Sequence, residues 1–259
     1  MQSAMAINTF LNSHQVFNVQ NFEQAFPRSQ TDRNLLSRAV RSSRVERVRR
    51  GLYVSRSGRF EGVRANPLDI AAGAADDAVF CYLSAFQLHG IAHNIAAVTL
   101  FYTRHRIAPF HFDGQSYEPV FIGEHPTDTL DVLTATGQAY RATTKEQTLI
   151  DCLVRPSLAG GPENMLRALS GVAYLDINKT LSLAHGLNHS ARARLGWVLE
   201  AKRDPWHVGD EVIEALAASI GAGPSYFSTL ISPRDAHWVS RWRLYLPFPE
   251  EEMLAWLNA

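Results

Sequence analysis

From Leu35 to Val40 the apolar residues fall at Leu35, Leu36, Ala39 and Val40, the spacing of a helix with one buried face. Thr31 stands where an N-cap is expected, and Arg33, Asn34, Ser37, Arg38 and Arg41 occupy the polar face. Asn34, Arg38 and Arg41 are four and three residues apart, so they line one exposed stripe. After Ser42 and Ser43 the pattern changes. Val45 and Val48 lead to a turn at Arg49-Arg50-Gly51, and Leu52, Tyr53 and Val54 follow as a β-rich run, which predicts a tight two-stranded ribbon. Upstream, Met5 to Leu11 predicts a short apolar helix, and Val16-Phe17 a short strand or a staple before the next helix. Val19, Phe22 and Phe26 are three and four apart and predict a second helix, opened at Asn18 or Gln20 and ended by Pro27. Arg28-Ser29-Gln30 is then a turn. Three short helices followed by a hairpin, all within about 60 residues, form the pattern of a winged helix-turn-helix. The competing reading of the same residues is a plain three-helix bundle with a solvated arginine face.

Ser55 to Asn66 is polar, basic and Gly-containing and ends at Pro67, which predicts a domain boundary between residues 1–66 and 67–259. The second region opens with helical runs at Leu68–Ala75 and Asp77–Leu88. Val98–Thr103, Tyr117–Ile122, Leu130–Ala135 and Gln138–Ala142 read as strands, with Pro119 favouring an edge or a strand end and Gly137 in a turn. Thr143–Val154 is an amphipathic helix capped by Thr143 or Thr144 and stopped at Arg155-Pro156. Further helices are expected at Glu163–Val172, Asn178–Leu187, Ser190–Leu199 and Glu250–Leu257, and Val208–Ser219 reads as helical or mixed. Ser225–Ile231 is apolar and aromatic, and Trp238–Leu246 alternates as one strand would. The fold class expected is α+β: an N-terminal winged helix-turn-helix followed by a larger, mixed α+β C-terminal domain.

Charge sharpens this division. The 259-residue chain is neutral overall, but residues 1–66 hold eleven Arg, no Lys and four acidic residues, a balance of +7. Residues 67–259 therefore carry −7. A small basic unit is an electrostatic footprint for a polyanion, and its excess lies on the helix face and ribbon described above. Cys81 and Cys152 sit in apolar runs and read as buried small hydrophobes rather than a disulfide or a metal pair. The first fourteen residues lack the basic start and continuous apolar core of a signal peptide. No run reaches the roughly 18–20 apolar residues of a membrane span. A cytoplasmic location, without membrane partners, is expected.

The N-terminal unit with its RVERVRRGLYV hairpin (Arg44 to Val54) resembles the winged-helix domain of AbiEi-type antitoxins of type IV toxin–antitoxin systems. The runs Ala78 to Ile91, Thr144 to Gly161, Ala191 to Glu200 and Trp242 to Pro247 are similar to that family's recurring blocks, in the same order. The resemblance implies a transcriptional autorepressor that binds inverted repeats in double-stranded DNA of its own promoter. It also implies an antitoxin region that counteracts, indirectly, a cognate nucleotidyltransferase toxin. Carried over by position, it assigns base reading to Thr31, Arg33, Asn34, Arg38 and Arg41. Arg can pair with guanine O6 and N7, and Asn with adenine N6 and N7. Arg44, Arg47, Arg49 and Arg50 are assigned to phosphate or minor-groove contact, which positions the protein without reading sequence. Gly51 supplies the positive φ of a tight hairpin, and Tyr53 and Val54 fasten the wing.

Other chemistry finds little support. His185 and His189 are four apart, but the Glu of an HExxH zinc site is absent and Gly186 weakens the helix. His105 and His111 have no carboxylate at ligand spacing in the sequence. Glu200-Ala201-Lys202, with Asp176 upstream, has the spacing of a metal-dependent nuclease, but on a helix rather than a strand. There is no Walker A loop and no G-x-S-x-G elbow. Ser57-Gly58 is reversed relative to a nucleotidyltransferase's Gly-Ser, and no D-x-D follows it. No enzyme, catalytic residue, metal or cofactor is expected. Two alternatives stay open: a winged-helix transcription factor without a toxin partner whose C-terminal domain senses a ligand or protein, and a nuclease using Glu200 and Lys202. The aromatic C-terminus reads as core or as an interaction patch, with Arg241 and Arg243 as a possible second basic surface.

Overall fold

A computed structural model describes residues 2–26, 30–91, 97–228 and 235–259, with the side chains of 2–5 and 30–33 outside the description. The fold is α+β. Its residues group into two compact units, one of 1–78 with 97–125 and the other of 79–96 with 126–259.

The first unit opens with α1 (Gln2–Ser13), β1 (Val16–Asn18), α2 (Val19–Ala25), α3 (Gln30–Arg41), β2 (Val45–Arg49) and β3 (Leu52–Ser55). Asn18 starts α2 through a reciprocal capping box: its side chain accepts from the Asn21 N–H at 2.8 Å, and Asn21 accepts from the Asn18 N–H at 3.0 Å. The three strands form an antiparallel sheet in the order β1-β3-β2, with Phe17 opposite Tyr53 and Arg47 also opposite Tyr53. Ile7, Phe10, Leu11, Phe17, Phe22, Ala39 and Val45 form the core beneath them, with Leu35, Leu36 and Val40 of α3 packed against it. The aromatic members meet edge-on, Phe10 at 5.2 Å from Phe17 and 5.5 Å from Phe22. The apolar stripe of α3 thus faces inward and its polar stripe faces out.

The boundary expected after Asn66 falls inside this unit. Asn66 caps α4 (Pro67–Ala74), and a Cβ on Gly73 would lie 2.8 Å from Leu52 and 3.1 Å from Val16, so the helix backbone rests directly on the sheet. The segment read as a polar connection is pinned by Arg56. Its guanidinium donates to Glu46 at 2.9 Å, to both oxygens of Asp113 at 2.6 and 2.7 Å and to the Val63 carbonyl at 3.0 Å. Asp113 belongs to a second group of strands, β5 (Val98–Thr103), β6 (Phe110–Phe112) and β7 (Gln115–Phe121), in the order β6-β7-β5. Asp113 and Gly114 both have positive φ, 52° and 77°, and make the two-residue hairpin between β6 and β7. Pro119 lies inside β7, paired with Phe101 of the parallel strand β5, but beyond the end of β6, where its missing N–H costs no ladder bond.

The second unit holds β4 (Val79–Phe80), α5 (Tyr82–Leu88), β8 (Thr129–Leu133), β9 (Ala139–Thr143), α6 (Lys145–Val154), α7 (Gly161–Ser170), α8 (Ile177–Leu183), α9 (His189–Ala201), α10 (Asp210–Ala218), β10 (Ser225–Tyr226), β11 (His237–Val239), β12 (Leu244–Leu246) and α11 (Glu250–Leu257). Thr144 caps α6, accepting from the Gln147 N–H at 3.3 Å. Arg194 of α9 is buried and donates to the carbonyls of Leu153 and Tyr226, at 2.7 and 2.6 Å for its closest contacts. Burial without a carboxylate partner lowers its pKa to about 10.

Two expected elements take a different form. Asp77–Leu88 is not one helix: Val79 and Phe80 are extended, with Phe80 paired to Ala142 of β9, and the helix begins only after Cys81. Trp238–Leu246 is not one strand. It is the antiparallel pair β11 and β12, with Trp238 opposite Tyr245, turned through Ser240–Arg243 where Arg243 has φ 47°. The turn sends Trp242 into the core, fully buried over Gly196. Ser225–Ile231 is a strand only at Ser225–Tyr226, and its last residues lie outside those described. Cys81 and Cys152 are buried and share no disulfide. No helix among the described residues is long and apolar enough to cross a membrane.

Candidate nucleic-acid interface

The basic residues singled out in the sequence separate into two groups. Asn34, Arg38 and Arg41 are exposed on α3, on the side opposite buried Ala39. Arg38 and Arg41 also lie in the last turn of the helix, where their positive charge complements the helix dipole. Thr31 and Arg33 belong to the same helix, but their side chains lie outside the described residues.

The β2–β3 ribbon carries the next set. Gly51, at φ 85°, turns the chain with nothing within 4 Å of where a Cβ would stand, so its role is conformational rather than one of close packing. The register shifts between Arg47 and Arg49, a bulge that turns consecutive arginines to different sides. Arg47 and Arg50 are exposed at the ribbon's end, and Arg47 donates to the Arg49 carbonyl at 3.3 Å. Arg49 points the other way. Its guanidinium lies 5.3 Å from the centre of the Phe110 ring, and its Nη1 is buried without a hydrogen-bond partner among the described residues. Arg44 is also engaged within the fold, donating to the Asn8 side-chain oxygen and, at 3.4 Å, to the Ser57 hydroxyl. Of the nine residues expected to contact DNA, five present described, exposed side chains on the helix stripe and the ribbon tip: Asn34, Arg38, Arg41, Arg47 and Arg50.

Arg56 is the basic residue the sequence did not distinguish. It stands in the segment read as a connection, yet its guanidinium joins β2 to the β6–β7 hairpin through Glu46 and Asp113. It also sits 5.5 Å from the Phe112 ring centre. Burial alone would lower its pKa, but the hydrogen bonds to Asp113 and Glu46 raise it. Its charge is committed to the fold rather than to a ligand.

The residues considered for other chemistry are also placed. Glu200 accepts from Arg241 at 2.8 Å and from the Trp242 indole. Lys202 is buried at the C-cap of α9, where desolvation lowers its pKa. Asp176 caps α8, accepting from the Lys179 N–H at 3.0 Å. Each member of the E-x-K trio is thus tied to local structure, and no contact among the described residues joins them. His189 uses both ring nitrogens on the backbone, Nε2 at 2.9 Å from the Gly223 carbonyl and Nδ1 accepting from the Gly221 N–H at 3.1 Å. That leaves neither for a metal shared with His185. Arg241 does not form a second basic surface, since Glu200 and Glu214 neutralise it at 2.8 and 2.7 Å, and Arg243 donates to the Gly221 carbonyl. The aromatic C-terminus divides, with Trp242 in the core and Trp238 about half exposed.

No family model and no curated protein sequence matches the chain. Among solved structures, it is similar to the crystal structure of the RV2827C protein from Mycobacterium tuberculosis. The TM-score is 0.70 at 17% sequence identity, over 99% of this chain and 94% of that one. At that identity the likeness concerns the fold.

Proposed function

We propose that this chain is a winged helix-turn-helix DNA-binding protein that represses its own promoter, an antitoxin of the AbiEi kind. The observation that carries the DNA-binding part is the joint exposure of Asn34, Arg38 and Arg41 on α3 and of Arg47 and Arg50 on the adjoining ribbon. The order α1-β1-α2-α3-β2-β3, with sheet order β1-β3-β2, supports reading α3 as the recognition helix and the β2–β3 ribbon as the wing. In this reading Arg38 and Arg41 reach guanine edges, Asn34 reaches adenine, and Arg47 and Arg50 meet phosphates beside the groove. Arg44 and Arg49 keep the wing in place and leave the DNA-contacting set. Thr31 and Arg33 stay in it, at the N-terminal end of the same helix. The +7 balance of residues 1–66 draws that segment to DNA, while the −7 balance of the remainder disfavours non-specific spreading along it.

The antitoxin part rests on the resemblance of the ordered sequence blocks to AbiEi-type proteins. In this reading, residues 67–259 counteract a nucleotidyltransferase toxin without a stable complex. Fluorescence anisotropy on DNA from upstream of the gene, against a shuffled duplex of equal length, tests the repressor reading. Promoter-selective binding that Asn34→Ala with Arg38→Ala abolishes is the expected result. Equal affinity for both duplexes at moderate salt would overturn it. Co-expression with a neighbouring nucleotidyltransferase gene tests the antitoxin reading separately, through rescue of growth.

A further inference from the structure

The first unit brings together four side chains from three separate stretches of the sequence. Asp76 and Asp77 follow α4, His105 follows β5, and His125 ends the unit. Asp77 is the fixed point of the group. Its Oδ2 accepts from the Arg104 backbone N–H at 2.9 Å, the Arg104 side chain at 3.2 Å and His125 Nε2 at 3.1 Å. Its Oδ1 accepts from the Thr103 hydroxyl at 2.6 Å and faces His105 Nε2 at 3.9 Å. Asp76 Oδ1 approaches the same His105 nitrogen at 3.3 Å. Burial would raise the Asp77 carboxyl, but the bonds from Thr103, Arg104 and His125 hold it well below the usual carboxylate range, so it is an anion at neutral pH.

Three ligand atoms, one imidazole nitrogen and two carboxylate oxygens, therefore lie within 4.8 Å of one another around a common space. We propose that Asp76, Asp77 and His105 bind a divalent first-row transition ion, with Zn²⁺ the best match to the ligand set. In a tetrahedral zinc site with bonds of roughly 2.0–2.1 Å, neighbouring ligand atoms stand about 3.3 Å apart. The His105–Asp76 edge already has that length, and the His105–Asp77 edge, at 3.9 Å, must close by about 0.6 Å. The movement is cheap on one side only. The side chains of Asp76 and His105 are 86% and 59% exposed and can swing, whereas Asp77 is 10% exposed and held by its donors. A largely buried, hydrogen-bonded anchor with two exposed outer ligands suits capture of an ion from solution, and water completes the coordination shell. Imidazole disfavours Mg²⁺, which prefers an all-oxygen octahedron. His125 binds no ion here. It acts behind Asp77, orienting the carboxylate as an outer-shell donor does. Such an ion would join the turn after α4 to the end of β5, so binding would stabilise the first unit.

The full chain, stripped with a chelator and dialysed, is titrated with Zn²⁺ by calorimetry, and with Co²⁺ for its visible absorption. His105→Ala, Asp76→Asn and, as a reference for adventitious histidine binding, His111→Ala are run in parallel. The first two change exposed side chains, and their folding is checked by circular dichroism in chelator. The expected result is one ion per chain, a tetrahedral Co²⁺ spectrum and a higher melting temperature with Zn²⁺ than with Mg²⁺. His105→Ala and Asp76→Asn should each lose more than the roughly 10- to 100-fold that outer-shell changes cost, while His111→Ala retains the site. Binding that survives in His105→Ala, or no uptake by the wild type, overturns the proposal.

Discussion

The division of the basic residues into outward and inward sets gives a quantitative expectation for DNA binding. Arg47 and Arg50 are exposed on the ribbon, Arg38 and Arg41 on the helix, whereas Arg44 is bonded to Asn8 and Ser57 and Arg49 lies over Phe110. Each phosphate contact adds about −0.9 to the slope of log affinity against log salt. Arg47→Ala with Arg50→Ala should therefore flatten the slope by about 1.8 and weaken binding to promoter and shuffled DNA alike. If Arg38 and Arg41 read bases as proposed, Arg38→Ala with Arg41→Ala loses contacts worth roughly 1–3 kcal/mol each, so promoter affinity should fall by at least tenfold while shuffled DNA is affected far less. Arg44→Ala should leave the slope unchanged. Its cost appears as stability, roughly 0.5–1.5 kcal/mol per lost hydrogen bond and toward the low end because the Asn8 contact is exposed. Arg49→Ala likewise loses a ring contact of about 0.5–2 kcal/mol rather than a phosphate. Anisotropy titrations at several salt concentrations, paired with urea denaturation of each variant, separate the two outcomes. If Arg44→Ala or Arg49→Ala flattens the salt slope as much as the ribbon-tip pair does, the inward assignment is wrong.

Three further outcomes are expected. Arg56→Met should destabilise the protein by about 2–4 kcal/mol, because it strands Asp113, whose side chain is 23% exposed, without its cation. Arg56→Met with Asp113→Leu should recover part of that loss in urea denaturation, and a double variant as unstable as the single would contradict it. Gly196→Ala should lower the melting temperature although alanine favours helix by about 1 kcal/mol, since its Cβ would stand 2.0 Å from the buried Trp242 ring. A rise in melting temperature would show that the ring can move aside. Cys81 and Cys152 should resist a thiol reagent in the native protein and react together after denaturation, since both are buried and burial, then the neighbouring Asp151, pushes the Cys152 thiol up. Fast labelling of the folded protein would contradict that burial.

Elements stand out in the sequence where one physical signal dominates. The apolar stripe of α3, the Thr144 cap of α6 and the short apolar run of β5 each correspond to an element of the structure within a residue or two. The misread stretches are those in which two signals compete. In Asp77–Leu88 the helical spacing of Val79, Leu83 and Phe86 masks an extended pair at Val79-Phe80 that joins β9. In Trp238–Leu246 the alternation continues across a turn, because a non-glycine residue, Arg243, adopts the left-handed conformation there. β6 carries its own local signal: Asp113-Gly114 is a strong two-residue hairpin pair, flanked here by Phe112 and Gln115.

The candidate site was legible as charge but not as direction. Eleven arginines against four acidic residues make the first 66 residues strongly basic, and helical spacing alone puts Asn34, Arg38 and Arg41 on one stripe. On the ribbon, strand alternation would place Arg47 and Arg49 on one face, and the bulge between them breaks that alternation. Where Arg49 and Arg56 point depends on Phe110, Phe112 and Asp113, more than fifty residues away in the chain. The Asp76-Asp77-His105 group has the same origin, since its members meet only because β5 returns beside the turn after α4. Local periodicity assigns a side chain to a face of its own element. Whether that face meets solvent, a ring or a carboxylate is decided by long-range packing. That packing divides the arginines between those held within the fold and those left exposed, and the salt-slope experiment asks whether the exposed set meets phosphates.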